Sequence, residues 1–300
     1  MTPRALTLSL FALTLASAAA AQVEIDRRRP APAHGELRVS SAFGTVTVKA
    51  WERNEVAVKG QLAAGAEGFD LDGDKEGTEV SVSVPEAWLH AASEDAAFRT
   101  TLEIMAPQGS RVGVETVNAA VGVDGFGGHV EVQTVNGGVR VAAPGGEVEV
   151  ETMTGAVEVT AQSAAMDVRT ISGAVTLAGA SGEVEVETVS GDVAVGGAEV
   201  SSLRVKTTTG GVTFHGAPAR KGGVEVETFS GPVRLVLPKA TKATFRLQTF
   251  GGGIHSDFCA GTPVTRERFE PFRQLHCSTG PDDFEIHVET HNADIQLVAE

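Results

Sequence analysis

The stretch Val184–Gly197, Val-Glu-Val-Glu-Thr-Val-Ser-Gly-Asp-Val-Ala-Val-Gly-Gly, is one copy of a unit that also begins at Val112, Val130, Val148, Met166, Leu203, Val224, Phe245 and Ile286. Counted from the first apolar residue of each copy, positions 1, 3, 10 and 12 are almost always apolar, position 5 is Thr, and position 8 is nearly always Gly. The Thr column runs Thr116, Thr134, Thr152, Thr170, Thr188, Thr207, Thr228, Thr249 and Thr290, with spacings of 18, 18, 18, 18, 19, 21, 21 and 41 residues. Self-similarity at a fixed period constrains the fold more than any local propensity. Period-two alternation makes each Val-x-Val-x-Thr segment a strand with one buried face. The position-8 Gly supplies a corner with positive φ, and positions 10–12 form a second short strand.

Two strands per copy, with no helical stretch between copies, predict an all-β fold: a parallel β-solenoid (β-helix) of about 18–21 residues per coil. A single coil cannot bury its apolar face alone, so only a stack is stable. Position 4 reads Glu115, Gln133, Glu151, Arg169, Glu187, Lys206, Glu227, Gln248 and Glu289 in chain order. Acid alternates with neutral or basic, as in-register strands about 4.8 Å apart require. The position-5 Thr side chains are expected to point inward, bonding one another or the corner backbone. Ala119 and Ala293 replace the corner Gly in the first and last copies, as expected of atypical terminal coils.

Residues 1–21 read as a secretory signal: Arg4, the short apolar run Leu6–Leu15, then Ala19-Ala20-Ala21 before Gln22. The apolar run is too short to cross a bilayer, and no Cys at the cleavage point suggests a lipid anchor. The expected location is therefore periplasmic, cell-surface or secreted. Residues 22–34 read as a linker, with Arg27-Arg28-Arg29 as a solvated basic tail. Residues 35–111 form an N-terminal β segment that is expected to cover the open end of the stack. Within it, Leu37–Val48 fits the template in degenerate form, Trp51–Glu55 turns, Phe69–Val84 reads as a hairpin bending near Gly73–Gly77, and Thr101–Met105 is a strand.

Coils then run over residues 112–254, with added length falling after the second strand, around His215–Gly223 and Leu237–Ala243. Residues 255–283 break the pattern and hold both cysteines, Cys259 and Cys277. In an exported chain these read as a disulfide; a zinc site of His255, Cys259, His276 and Cys277 is the alternative, although its spacing matches no zinc module. Residues 284–300 resume the template and are expected to cap the stack.

The order of degenerate coil, Trp turn, hairpin, Leu102-Glu103-Ile104-Met105-Ala106-Pro107 and Thr-x-Ser-Gly-x-Val repeats resembles the bacterial "putative adhesin" β-strand-repeat family, a domain of unknown function. The likeness covers about residues 35–300. It implies an exported β-solenoid with an adhesive role, and it brings no catalytic residues.

The net charge of −15 argues against nucleic acid or anionic lipid as a partner. Cell-envelope or extracellular protein or glycan fits better. Glu131, Glu149, Asp167 and Glu185, at position 2 of consecutive coils, form an acidic stripe that either binds Ca²⁺ or a cationic polymer or splays into water beside Arg169. Asp70, Asp72, Asp74 and Glu76 resemble a calcium loop in composition but lack its Gly position and distal Glu, so an acidic hairpin bend also explains them. His287, His291, Asp294 and His255 are further candidate ligands or acid–base groups. No cofactor is implied.

No nucleophile elbow or phosphate loop occurs, Tyr is absent, and both Trp lie outside the regular coils. The expectation is a non-enzymatic binding or scaffold protein. The rivals are a polysaccharide-active enzyme using paired carboxylates and a periplasmic sensor or accessory protein docking through residues 255–283.

Overall fold

The computed structural model describes residues 22–89, 99–162, 165–266, 272–280 and 284–300. The expected signal segment, residues 1–21, lies outside them. Among the described residues there are 22 strands and a single short helical turn, Glu86–Leu89. The fold is all-β and built as a solenoid-like repeat.

Each Val-x-Val-x-Thr strand lies parallel to its equivalents in neighbouring coils, in register. Thr116 stands beside Thr134, Thr134 beside Thr152, and Thr152 beside Thr170. The second strands stack likewise, Val139 on Val157 and Val157 on Val175. Positions 1, 3, 10 and 12 face inward; Val132, Val150, Val168 and Val186 are completely buried. Burial of each such aliphatic side chain contributes about 1.5–3 kcal/mol. The corner Gly is needed for two reasons. Gly173 has φ 152°, and a Cβ on it would sit 2.0 Å from the Gly155 carbonyl oxygen of the adjacent coil. Ala119 and Ala293 escape the first constraint, since Glu199 is the one non-Gly residue with positive φ among the described residues.

Two features depart from the sequence expectation. The residues added after the second strand do not form loops at His215–Gly223. They continue the ladder, with Gly197 paired to Gly216 and Val200 to Pro218, so that Val175–Ser190, Val193–Thr209 and Val212–Ser230 run unbroken around a third side. Only Leu237–Ala243 turns as expected. The stretch read as a linker is also a strand: Val23–Pro30 pairs antiparallel with Glu55–Leu62 over eight residues. Its sequence lacks alternation because an available edge, not a buried face, holds it there.

The largest departure concerns the ends. The last coil, Ile286–Leu297, does not cap the stack. It is inserted between the coils beginning at Val224 and Phe245: Val226 pairs with Val288, and Val288 with Leu247 on its other side. The mirror arrangement holds at the N-terminal end. Strand Glu36–Trp51 lies between Arg111–Asp124 and an outer coil split over Gly77–Ser83 and Thr100–Pro107. Both terminal coils are thus second from the end in space.

Antiparallel strands cover the outermost edges. Gly68–Gly73 pairs with Gly77–Ser83 in the expected hairpin, Glu55–Leu62 with Thr100–Pro107, and at the far end Arg273–Ser278 with Thr244–Thr249. Cys259 and Cys277 stand at disulfide distance, Cα atoms 5.9 Å apart. That pairing removes the zinc alternative, which needs both thiolates as ligands.

Candidate amphipathic groove

Positions 2, 4 and 6 of each first strand face outward by parity. Position 6 is nevertheless apolar in most coils, and there the side chains are half in water: Met153 50%, Ile171 49%, Val189 51% and Phe229 54% exposed. The inward aliphatic side chains three and five residues earlier in the same strands are at most 2% exposed. This column, the charged position-4 column beside it and the Thr backbone between them enclose a groove of about 1220 Å³. It runs along the stack from Ser40 to His291.

At one end the apolar column becomes a ring stack. The His291 ring lies between Phe229, centroids 4.8 Å apart, and Phe250, 4.7 Å apart, with interplanar angles of 10° and 7°. Phe272 closes edge-on against Phe250 at 5.9 Å. These distances equal the coil spacing, so the rings ladder as the backbone does. Both faces of His291 are covered, and the groove meets ring edges there instead of open ring faces.

Sequence reasoning missed this column. The signal was the residue after each Thr: Val135, Met153, Ile171, Val189, Phe229 and Phe250 break the inward/outward alternation.

The acidic stripe assembles as expected, with Glu131, Glu149, Asp167 and Glu185 adjacent in the ladder. Cations cross it. Arg169 hydrogen-bonds the Asp167 carboxylate and lies 3.6 Å from Glu149, 3.5 Å from Glu151 and 3.9 Å from Glu187. Arg204 bridges Glu185 at 3.9 Å and Glu225 at 2.9 Å. Burial pushes the Asp167 carboxyl above its ordinary value; Arg169 pulls it back, and Glu185 and Glu187 push it further up.

In the hairpin, Asp70 and Asp72 point outward along one strand, opposite Ser81 and Glu79. The Asp74 carboxylate instead accepts from Glu76 N at 2.7 Å and Gly77 N at 3.1 Å, and those bonds hold it below the usual carboxylate range. The acid at the bend caps its own turn. His287 stands 4.0 Å from Glu289, His255 pairs with Gln296, and Asp294 accepts from Gly253 N, so these groups do not converge with His291. Among the described residues, no three His, Cys, Asp or Glu side chains are arranged to hold a metal ion.

The Thr column is buried along its length. Thr116 donates to Thr134 Oγ1 at 2.8 Å, Thr152 to Thr154 O at 3.2 Å and Thr249 to Ala293 O at 3.0 Å. The hydroxyls of Thr170, Thr188, Thr228 and Thr290 find no partner within the protein. The expected ladder of bonded hydroxyls is therefore partial.

No helix among the described residues is long and apolar enough to cross a membrane. No curated protein matches the chain. A crystal structure described as a "putative cell adhesion protein" from Clostridium sporogenes ATCC 15579 shares 12% identity, covering 93% of this chain and 100% of that one at a TM-score of 0.22; at that score the likeness carries no argument. The Toastrack DUF4097 family, by contrast, matches residues 34–298, from the intercalated N-terminal coil through the intercalated C-terminal one, and the chain belongs to that family.

Proposed function

We propose that this chain is an exported, non-catalytic β-solenoid whose groove serves as an adhesive or scaffold surface for another component of the cell envelope or exterior. The observation that carries this reading is the column of exposed apolar side chains from Val135 through Met153 and Ile171 to Val189, resumed past Thr208 at Phe229, beside a charged column. Apolar surface that is contiguous, exposed and rimmed by polar groups marks an interaction site. Export is supported by the residue 1–21 pattern and by a cysteine pair that suits an oxidising compartment. A non-catalytic role is supported by the repetition of the groove wall, in which most acidic groups have close equivalents one or two coils away.

The test is retention of the purified chain on isolated cell envelopes. Ile171→Glu and Val189→Glu should cut retention about tenfold, while Thr176→Glu, on the exposed side of the second strand, should not. Equal retention by all three would overturn the reading. Turnover of a glycan, abolished by Glu149→Gln or Glu185→Gln, would favour the enzymatic rival.

A further inference from the structure

We propose that the groove takes an extended cationic polypeptide with three residues per turn, each turn placing a basic side chain on one acidic rung. This rests on the groove being a binding surface and adds what fits it. In spatial order, position 4 carries Glu115, Glu151, Glu187 and Glu227 at every second coil. With strands about 4.8 Å apart, the acidic rungs recur about every 9.6 Å. A polyproline II segment advances about 9.3 Å per three-residue turn. Across the three intervals the mismatch is about 1 Å, well within the reach of a lysine side chain. The two-residue repeat of a β-strand, about 6.8 Å, slips by about 3 Å at each rung. Two turns of an α-helix, about 10.8 Å, slip by about 1.2 Å at each rung and accumulate nearly 4 Å.

Charge selects the sign of the partner. Over the six coils from Val130 to Leu235, positions 2 and 4 hold eight carboxylates against Arg169, Arg204 and Lys206. Arg169 is already shared among four of those carboxylates. A second copy would bring the same negative face, on a chain of net charge −15, and is disfavoured for that reason. The apolar column supplies the other wall. Val135, Met153, Ile171 and Val189 present aliphatic surface to the residues between the bases, and proline rings match such surface with less conformational entropy to lose on binding than a flexible segment has. A neutral glycan can donate hydroxyls to the carboxylates but leaves their negative charge uncompensated, and the His291 ring offers it no free face.

The experiment measures fluorescence polarisation of labelled synthetic peptides titrated with the purified, disulfide-intact chain. A peptide of Lys-Pro-Pro repeats long enough to meet four rungs should bind. The same composition with its lysines clustered should bind about tenfold more weakly, and Glu-Pro-Pro repeats should not bind. Glu151→Gln with Glu187→Gln should weaken binding and flatten its salt dependence. Ile171→Ser with Val189→Ser should weaken it at unchanged salt dependence, with circular dichroism confirming that each variant is folded.

Equal affinity for spaced and clustered lysines would overturn the three-residue register. Binding of a neutral glycan in place of the peptides, or concentration-dependent dimerisation through the groove, would overturn the proposal outright. Envelope retention that depends on Ile171 and Val189, without affinity for any lysine peptide, would overturn this inference and leave the broader function standing. Absence of wild-type retention would strike the broader function instead.

Discussion

Thr228 has Thr290 as its ladder neighbour, and Thr249 lies beyond Thr290 on its far side. The chain therefore leaves the coil at Val224, steps over one empty level through Pro238–Ala243, builds the coil at Phe245, and returns to fill the gap. Backbone bonds at the corner seal both sides of the inserted coil: His291 N donates to Thr228 O and Gly251 N to His291 O. One consequence is electrostatic. Glu227 and Glu289 become neighbours, where the sequence order had placed Gln248 between them.

The inserted coil should be among the most protected parts of the chain, although it ends the sequence. Chain termini normally fray. Here the amides of Ile286–Thr290 should exchange with solvent as slowly as those of Val224–Thr228 in native-state hydrogen exchange. Deleting residues 284–300 removes Ile286, Val288, Ile295 and Leu297, all at most 2% exposed. At about 1.5–3 kcal/mol for each buried aliphatic side chain, the loss rivals a domain's whole stability of about 5–15 kcal/mol. The truncated chain should lose its cooperative transition. A variant that melts within a few degrees of the full chain would show that the coil is a dispensable cap.

The corner glycines should be unequal to the corner alanines. Gly173→Ala forces a Cβ to within 2.0 Å of the Gly155 carbonyl oxygen at φ 152°, and should cost about 1–3 kcal/mol. Ala119→Gly, in a coil whose corner avoids positive φ, should cost only about 0.5–1 kcal/mol, from backbone entropy. Urea unfolding midpoints compare the two. A Gly173→Ala midpoint equal to wild type would mean that the corner backbone can relax.

The coils were legible because each carries its own Thr, Gly and alternating valines, so a strand can be read from one copy alone. Their spatial order was not, because the copies are interchangeable as ladder partners. Val226 can pair with Leu247 or Val288 on equal local terms. What decides is how far Pro238–Ala243 can carry the chain and where the disulfide-bearing segment returns it. Val23–Pro30 was illegible for a related reason: its place depends on the free edge of Glu55–Leu62. The apolar wall was fully written at position 6, in side chains whose parity contradicts their polarity.

Within the Thr column the hydroxyls should differ in worth. Thr188 Oγ1 is buried without a partner, so Thr188→Val replaces an unsatisfied hydroxyl by a methyl of the same shape. The change should be neutral or stabilising, by up to about 1 kcal/mol. Thr116 donates to Thr134 at 2.8 Å, and Thr116→Val should cost about 1 kcal/mol. Matched thermal melts of the two variants make the comparison, and equal losses would contradict the difference in bonding.

Asp167 should give the acidic stripe a measurable pH signature. Its folded carboxyl titrates above the ordinary 3.8 because burial disfavours the anion, with Arg169 opposing and Glu185 adding to the shift. The folded state therefore keeps this proton to higher pH than the unfolded state does. Between the two values the folded chain binds more protons, so this group's contribution to stability falls as pH rises through that window. Asp167→Asn should remove that part of the slope from urea midpoints measured across the acid range. Arg169→Gln withdraws the neighbouring charge that favours the anion, so the Asp167 midpoint in a carboxyl-carbon NMR titration should move further up, and the fall, which still begins near the unfolded value, should end at higher pH and run deeper. An Asp167 midpoint that Arg169→Gln leaves in place would show that Arg169 spends its charge on Glu149, Glu151 and Glu187 alone.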